Sequence, residues 1–206
     1  YADHIYKRLQ RKGFLREDCL DLLIKERNVF GACMVSLKEA DAMICGLNRS
    51  YAVTLESVEY VLDPIPNKRV LGLTVMICNG RTIFVADTNV HDMPNGSELA
   101  DITEQSAQVV REIFDIEPKA ALLSYSNFGK PFTERSAYIR DALKILEKRD
   151  VDFEYDGEMA ANVALNENLL SLYPFCKLSS PANLLIMPAI HSASISTKLL
   201  QELGGG

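Results

Sequence analysis

Lys119-Ala-Ala-Leu-Leu-Ser-Tyr-Ser-Asn-Phe-Gly-Lys130 is the stretch that decides how this chain folds. A continuous apolar run breaks into hydroxyl and amide residues and closes on Gly129. A buried parallel strand reads this way when its carboxyl end opens into a loop. In open α/β sheets that end is where ligands sit. A second edge of the same kind is Phe153-Glu-Tyr-Asp-Gly-Glu-Met159, where an acidic pair flanks Gly157 at the end of another short strand. One helix separates the two edges, so both are expected to face a single cleft.

Working outward, helix and strand alternate: strand 119–124, helix 133–148, strand 153–155, a helix from about 158, strand 184–187, and a final helix from about Ser194 to Leu203. This rhythm predicts a mainly parallel sheet covered on both faces. Upstream, Leu71–Cys78 and Thr82–Ala86 flank Asn79-Gly80, the strongest short-range hairpin pattern because both turn positions need positive φ. Asn95 and Glu98 make a capping box for a helix carrying Leu99, Ile102, Val109, Val110 and Ile113 on one face. The first third reads as a helix over Tyr1–Lys12 closed by Gly13 and one or two helices over Arg16–Leu37. A short buried strand Ala42-Met-Ile-Cys45 ending at Gly46 follows, then a helix over Tyr51–Leu62. Asp63-Pro64-Ile65-Pro66 stops that last helix and is the best candidate domain boundary. Gly204-Gly205-Gly206 reads as a crossover after the final helix.

The chain has 206 residues, 48% hydrophobic and 24% charged, enough for a full core in one or two domains. A net charge of −6 without a long basic run argues against a nucleic-acid surface. No apolar run approaches the roughly 18 residues of a membrane span, and the first residues do not read as a signal peptide. A cytoplasmic location is expected. The five cysteines, Cys19, Cys33, Cys45, Cys78 and Cys176, form no CxxC pair and sit in apolar context, so they read as buried reduced thiols.

Ser124, Tyr125, Ser126 and Asn127 would place hydroxyl, amide and backbone N–H groups at a helix start, a ready site for phosphate or carboxylate, with Lys130 as a point charge. An ordinary loop with a capped helix is the alternative. Asp156 and Glu158 offer a general base or a metal site, or simply a cap for the following helix, which spacing favours. Asp41 and Gly46-Leu-Asn-Arg-Ser50 form a third polar strand-end, with Asn48, Arg49 and Ser50 available to phosphate. Asp87-Thr88-Asn89 forms a fourth. His4, His91 and His191 lack metal-ligand spacing. There is no GxSxG, Walker A or GxGxxG pattern, so a nucleophile elbow, P-loop or Rossmann cofactor site is unsupported.

Taken in order, Ala40-Asp-Ala-Met-Ile-Cys-Gly46, Phe84-Val-Ala-Asp-Thr88, Ala121-Leu-Leu-Ser-Tyr-Ser126, Asp156-Gly-Glu158 and Pro181-Ala-Asn-Leu-Leu-Ile-Met-Pro188 resemble the phosphate acetyl/butyryl transferase family over essentially the whole chain. Ser126-Asn-Phe-Gly129, Asp156-Gly-Glu-Met159, Tyr173-Pro-Phe-Cys176 and Lys198-Leu-Leu-Gln-Glu-Leu-Gly-Gly-Gly206 look most like its phosphotransacetylase-like variant at the C-terminus of bacterial NADP-dependent malic enzymes.

The resemblance implies two α/β lobes with a cleft between them: a partial first lobe over 1–62, a second over 63–203, and a crossover beginning at 204–206. It adds Asn183 and Lys198 to the candidate ligand residues. Of the family's two phosphate-holding arginines, one falls on Leu9, with Arg8 and Arg11 as neighbours, and the other on Glu202. The serine–arginine–aspartate motif of the transferases is not in this chain. The resemblance therefore implies a non-catalytic segment that binds acetyl-CoA or a related acyl-CoA as effector. The malic enzyme core would belong to the same polypeptide, with NADP and a divalent metal (Mg or Mn) used there, and the whole would be a homo-oligomer with no nucleic-acid or membrane partner. A working phosphate acyltransferase and a purely structural oligomerisation domain are the alternatives.

Overall fold

The computed structural model describes residues 1–46, 48–129 and 134–204, with the side chains of Glu134 and Arg135 left out. The chain divides into two compact units, Tyr1–Pro66 and Asn67–Gly206. The division follows Pro66, the last residue of the Asp63–Pro66 stretch.

The first unit is built from α1 (Ala2–Leu9), α2 (Arg16–Lys25), α3 (Arg27–Ser36) and α4 (Tyr51–Glu59). A single 3₁₀ turn, Gln10–Lys12, follows α1 and ends at Gly13, whose φ of 88° is the left-handed conformation that stops a helix. Ile5, Leu9, Cys19, Val29, Ala32, Cys33 and Val61 form its core. The apolar segment Ala42–Cys45 is not the buried strand expected. No strand occurs in this unit among the described residues, Ile44 is fully exposed, and Cys45 is exposed too. An apolar run becomes a strand only where a neighbour pairs with its backbone N–H and C=O groups, and among the described residues this segment has no such pairing.

In the second unit, β1 (Leu73–Cys78) and β2 (Arg81–Ala86) form the expected antiparallel hairpin, with Asn79 at φ 51° and Gly80 at φ 73°. The capping box at Asn95 and Glu98 opens α5 (Gly96–Phe114). Then come β3 (Lys119–Leu123), α6 (Glu134–Arg149), β4 (Glu154–Met159), the short α7 (Ala161–Leu165) and α8 (Glu167–Leu170), β5 (Leu184–Ile186) and α9 (Ile190–Gly204). The strand order is β1-β2-β5-β3-β4, and every pair except the hairpin is parallel.

Helices α5 and α6 cover one face of the sheet, where Leu99, Ile102, Val110, Ile139 and Leu146 pack on Phe84, Leu122 and Ile186. On the other face Val163, Leu170, Leu178 and Ala193 pack on Val85, Ala121 and Leu185. Three expectations need correction. Ile113 lies in the last turn of α5 and is exposed there instead of joining its buried face. Strand β4 runs on through Asp156 and Glu158 to Met159, so the next helix begins at Ala161. Helix α9 starts at Ile190, before Ser194.

The neighbours β3 and β5 send their chains to opposite faces: α6 follows β3 on one side and α9 follows β5 on the other. That is a topological switch point, and the two departing chains leave a crevice at the strands' carboxyl ends.

Candidate functional site

A cavity of about 770 Å³ occupies that crevice, a size suited to a small organic ligand. Leu123, Ser124 and Tyr125 line it from the end of β3, and Met187, Pro188 and Ala189 from the end of β5. The first turns of α6 supply Ser136, Tyr138 and Ile139, and α9 supplies His191, Ser192 and Ser196. Met93, Pro94 and Leu99 complete it from the start of α5, with Ala161 from α7. The walls are mainly apolar, punctuated by hydroxyls and one imidazole. No lysine or arginine lines it among the described residues.

The loop after β3 is held from below. Ser124 N donates to Met159 O at 2.9 Å and Phe128 N to Glu158 O at 2.7 Å. Ala160 N donates to Asn127 Oδ1 at 2.8 Å. The Asn127 carbonyl, expected to meet a ligand, is thereby spent on structure. Phe128 takes φ 48° and packs its ring 5.2 Å from Tyr173 and 5.1 Å from Phe175. These contacts place Ser124 at the cavity wall and leave Ser126 buried, its Oγ 3.4 Å from that of Ser124.

Asp156 and Glu158 are not a pair in space. The parallel register of β3 and β4 slips by one residue between Leu122 and Leu123, leaving Glu158 as the extra residue of a bulge. Asp156 faces the α8–β5 connection, accepting from Lys177 N at 2.7 Å and from Gly157 N at 2.8 Å. Glu158 faces α6, where Arg140 Nη1 donates to its Oε1 at 3.1 Å and to Ser136 Oγ at 3.0 Å. Between them Gly157 is tightly enclosed, since a Cβ there would stand 2.7 Å from Leu122 O. Among the described residues no cluster of three His, Cys, Asp or Glu side chains could hold a metal ion.

Asp87, seen in the sequence only as a weak polar strand-end, organises the cavity's rim. It is 2% exposed, yet it accepts from Gly72 N at 2.8 Å, Asn89 N at 2.9 Å, His91 N at 2.8 Å and His91 Nδ1 at 2.6 Å. Burial alone would push this carboxyl group up. The backbone donors of Asn89 and Gly72, with both bonds from His91, outweigh it and hold Asp87 below the usual carboxylate range. The loop so folded carries Met93 and Pro94 to the cavity, and its Asp92 O accepts from Ile190 N at the start of α9 at 3.1 Å. The clue available from sequence was a strand-end Asp followed by short polar residues, the pattern of a side chain that folds its own loop.

The other expected ligand residues are scattered. Asn183 clips the opposite end of the sheet: its Oδ1 accepts from Lys119 N at 2.7 Å and its Nδ2 donates to Glu117 O at 2.8 Å. Lys198 is exposed on α9 and donates to Ser194 Oγ at 2.7 Å. Lys130 lies outside the described residues. Asn48, Arg49 and Ser50 line a separate hollow of the first unit, in which Arg49 pairs with Glu26 at 3.1 Å. Leu9 is a core residue, Arg8 forks onto Asp63 at 2.7 and 2.8 Å, and Glu202 is exposed. Of the cysteines, Cys19 and Cys33 are buried, but Cys45 is exposed and Cys78 and Cys176 are half-buried.

The family model for phosphate acetyl/butaryl transferases matches residues 1–206. An NADP-dependent malic enzyme of Rhizobium meliloti is 55% identical over 205 residues, all of this chain and 27% of its own length. A phosphate acetyltransferase of Thermoanaerobacterium thermosaccharolyticum is 30% identical over 98% of this chain and 64% of its own length. Among solved structures, a phosphotransacetylase from Streptococcus pyogenes superposes with a TM-score of 0.83 and 28% identity over 98% of this chain and 63% of that one. The chain thus spans about a quarter of the malic enzyme it resembles. A match to the family model along its entire length, on a sheet that also superposes, places the chain in the phosphate acetyl/butyryl transferase family.

Proposed function

We propose that this chain is the phosphotransacetylase-like regulatory part of an NADP-dependent malic enzyme, and that its cavity takes the acyl end of acetyl-CoA or a related acyl-CoA as effector. The carrying observation is the cavity's character: apolar walls with Ser124, Ser136, Ser192 and Ser196, and no lysine or arginine among the described lining residues. A multiply charged phosphoryl group needs cationic forks. A thioester and its pantetheine arm need apolar area and a few neutral hydrogen-bonding groups. Leu9 in the core and Glu202 where the family places arginines point the same way.

On this reading the parent polypeptide oxidises malate and decarboxylates it to pyruvate, using NADP and Mg or Mn bound outside this segment. Acyl-CoA acts by binding one state of the assembled oligomer more tightly than another. The runner-up is a working phosphate acyltransferase, favoured by the similarity to phosphate acetyltransferases over nearly the whole chain.

The test is a malate-oxidation titration against acetyl-CoA with the full-length polypeptide and its Ser196→Trp variant, which fills the cavity. The variant should keep its activity without effector and need at least about tenfold more acetyl-CoA for the same response, as expected if burial of an acyl arm worth ~1.4 kcal/mol or more is lost. Superimposable curves would remove the cavity from regulation. Turnover of acetyl phosphate and CoA at ordinary enzymatic rates would promote the runner-up.

A further inference from the structure

The residues lining the cavity of the second unit are graded in burial. Met93 is 50% exposed and Tyr125 66%, so they stand at its mouth. Leu99 and Ile139 line it at 2% exposure, and Leu123 and Met187 at 6%, so they close its inner end. All four side chains are apolar, and each keeps some surface open. They come from four elements: Leu123 ends β3, Met187 follows β5, Leu99 lies near the start of α5 and Ile139 lies in α6.

The hydroxyls of Ser124, Ser192 and Ser196 are half-buried, at a depth between mouth and inner end. Ser192 Oγ spends its hydrogen on Ala189 O at 2.7 Å. Ser124 and Ser196 are left to meet the carbonyl of a thioester, and the chain beyond that carbonyl then points at the apolar end. An acetyl group has three heavy atoms, each with about the 30 Å³ share of a water molecule, and fills roughly a tenth of the 770 Å³ present. Its methyl group leaves the apolar end without contacts, which forfeits the dispersion and burial that a longer chain would gain there.

Resting on the acyl-CoA reading above, we infer that the effector carries an unsubstituted aliphatic acyl chain of at least about four carbons, whose alkyl end packs on Leu99, Leu123, Ile139 and Met187. A chain that ends in a carboxylate is refused, because the charge would enter an apolar end with no lysine or arginine among the described lining residues.

Calorimetric titrations of the 206-residue chain with butyryl-CoA, acetyl-CoA, succinyl-CoA and free CoA test this. Butyryl-CoA should bind about tenfold or more tighter than acetyl-CoA, the range for burying two further CH₂ groups. Succinyl-CoA has the same carbon count and should bind at least about tenfold more weakly than butyryl-CoA. Leu123→Phe narrows the inner end, so the preference for butyryl-CoA should fall toward unity while the affinity for acetyl-CoA changes little. Equal affinities for butyryl-CoA and acetyl-CoA in the wild-type chain overturn the inference. So does succinyl-CoA bound as tightly as butyryl-CoA, or a folded Leu123→Phe protein that keeps the full preference. If Leu123→Phe does not fold, the wild-type series decides alone. Acetyl-CoA bound more tightly than free CoA, but no less tightly than butyryl-CoA, defeats this inference only. All four ligands bound alike, or none bound, defeats the acyl-CoA reading as well.

Discussion

The side-chain oxygen of Asn127 accepts a hydrogen bond from the backbone N–H of Ala160 at 2.8 Å, so the loop after β3 is fastened to the chain leaving β4. Two segments that each read as a ligand loop support one another, and they lead to the lining residues Ser124, Tyr125 and Ala161.

Removing the Asn127 acceptor should loosen this corner without emptying the cavity. Asn127→Ala is expected to lower the unfolding free energy by about 1 kcal/mol, and by up to roughly 3 if the Ala160 N–H stays dry. Asn127→Asp keeps an acceptor and should stay within about 0.5 kcal/mol of wild type. Urea unfolding of the three proteins at pH 7 measures both differences.

Asp87 should make stability depend on acid. Its folded value lies below the unfolded one, near 3.9, so its contribution is complete above that pH and fades as pH falls through the lower folded value. Asp87→Asn should be less stable at pH 7 by about 2 kcal/mol or more, since one oxygen must replace two that accept from several donors. It should also lose less stability than wild type between pH 5 and pH 3. Asp101 and Glu154 are held low too, so the acid slope is reduced and not abolished. Urea midpoints across that range are the check, and an unchanged slope would mean that folding leaves the Asp87 carboxyl group where it stands in the unfolded chain.

Gly157→Ala is expected to cost about 1–3 kcal/mol, because its Cβ would stand 2.7 Å from Leu122 O in a paired strand that cannot retreat. Thermal unfolding of the variant reads this directly.

The thiols should react in a set order. Cys45 is exposed and should label first with an aromatic disulfide reagent. Burial pushes half-buried Cys176 up to about 11, so it should label slowly, while the buried Cys19 and Cys33, also raised, should wait for unfolding. Cys45→Ser should remove the fast phase.

The parts of the fold that are local in sequence were legible in it. Asn79-Gly80 announced its hairpin because its backbone angles admit few other residues, and Asn95 with Glu98 announced a helix because both side chains act within four residues. Ser124 was legible as a polar strand-end, and it lines the cavity. Ala42–Cys45 was misread because an apolar run carries no record of whether a neighbouring strand exists. The helix cap that spacing favoured for Asp156 and Glu158 fails because β4 runs on through both and Ala160 takes the cap position, while a one-residue bulge turns the two carboxylates to different faces. Asn183 was misplaced because its partners, Lys119 and Glu117, are distant in sequence. The cavity itself was invisible, being assembled from the starts of α5, α6 and α9.

The most direct test of the central claim is acetyl-CoA binding by the chain itself, followed by calorimetric titration and thermal unfolding, with Ser196→Trp as the blocked control. A ligand that binds only the folded protein adds about 2.7 kcal/mol at a hundred times its dissociation constant, a rise of several degrees in the midpoint. A saturable one-site titration with that rise in wild type, and neither in Ser196→Trp, is the predicted result. No heat and no shift at millimolar acetyl-CoA, or identical binding by the blocked variant, would contradict the account.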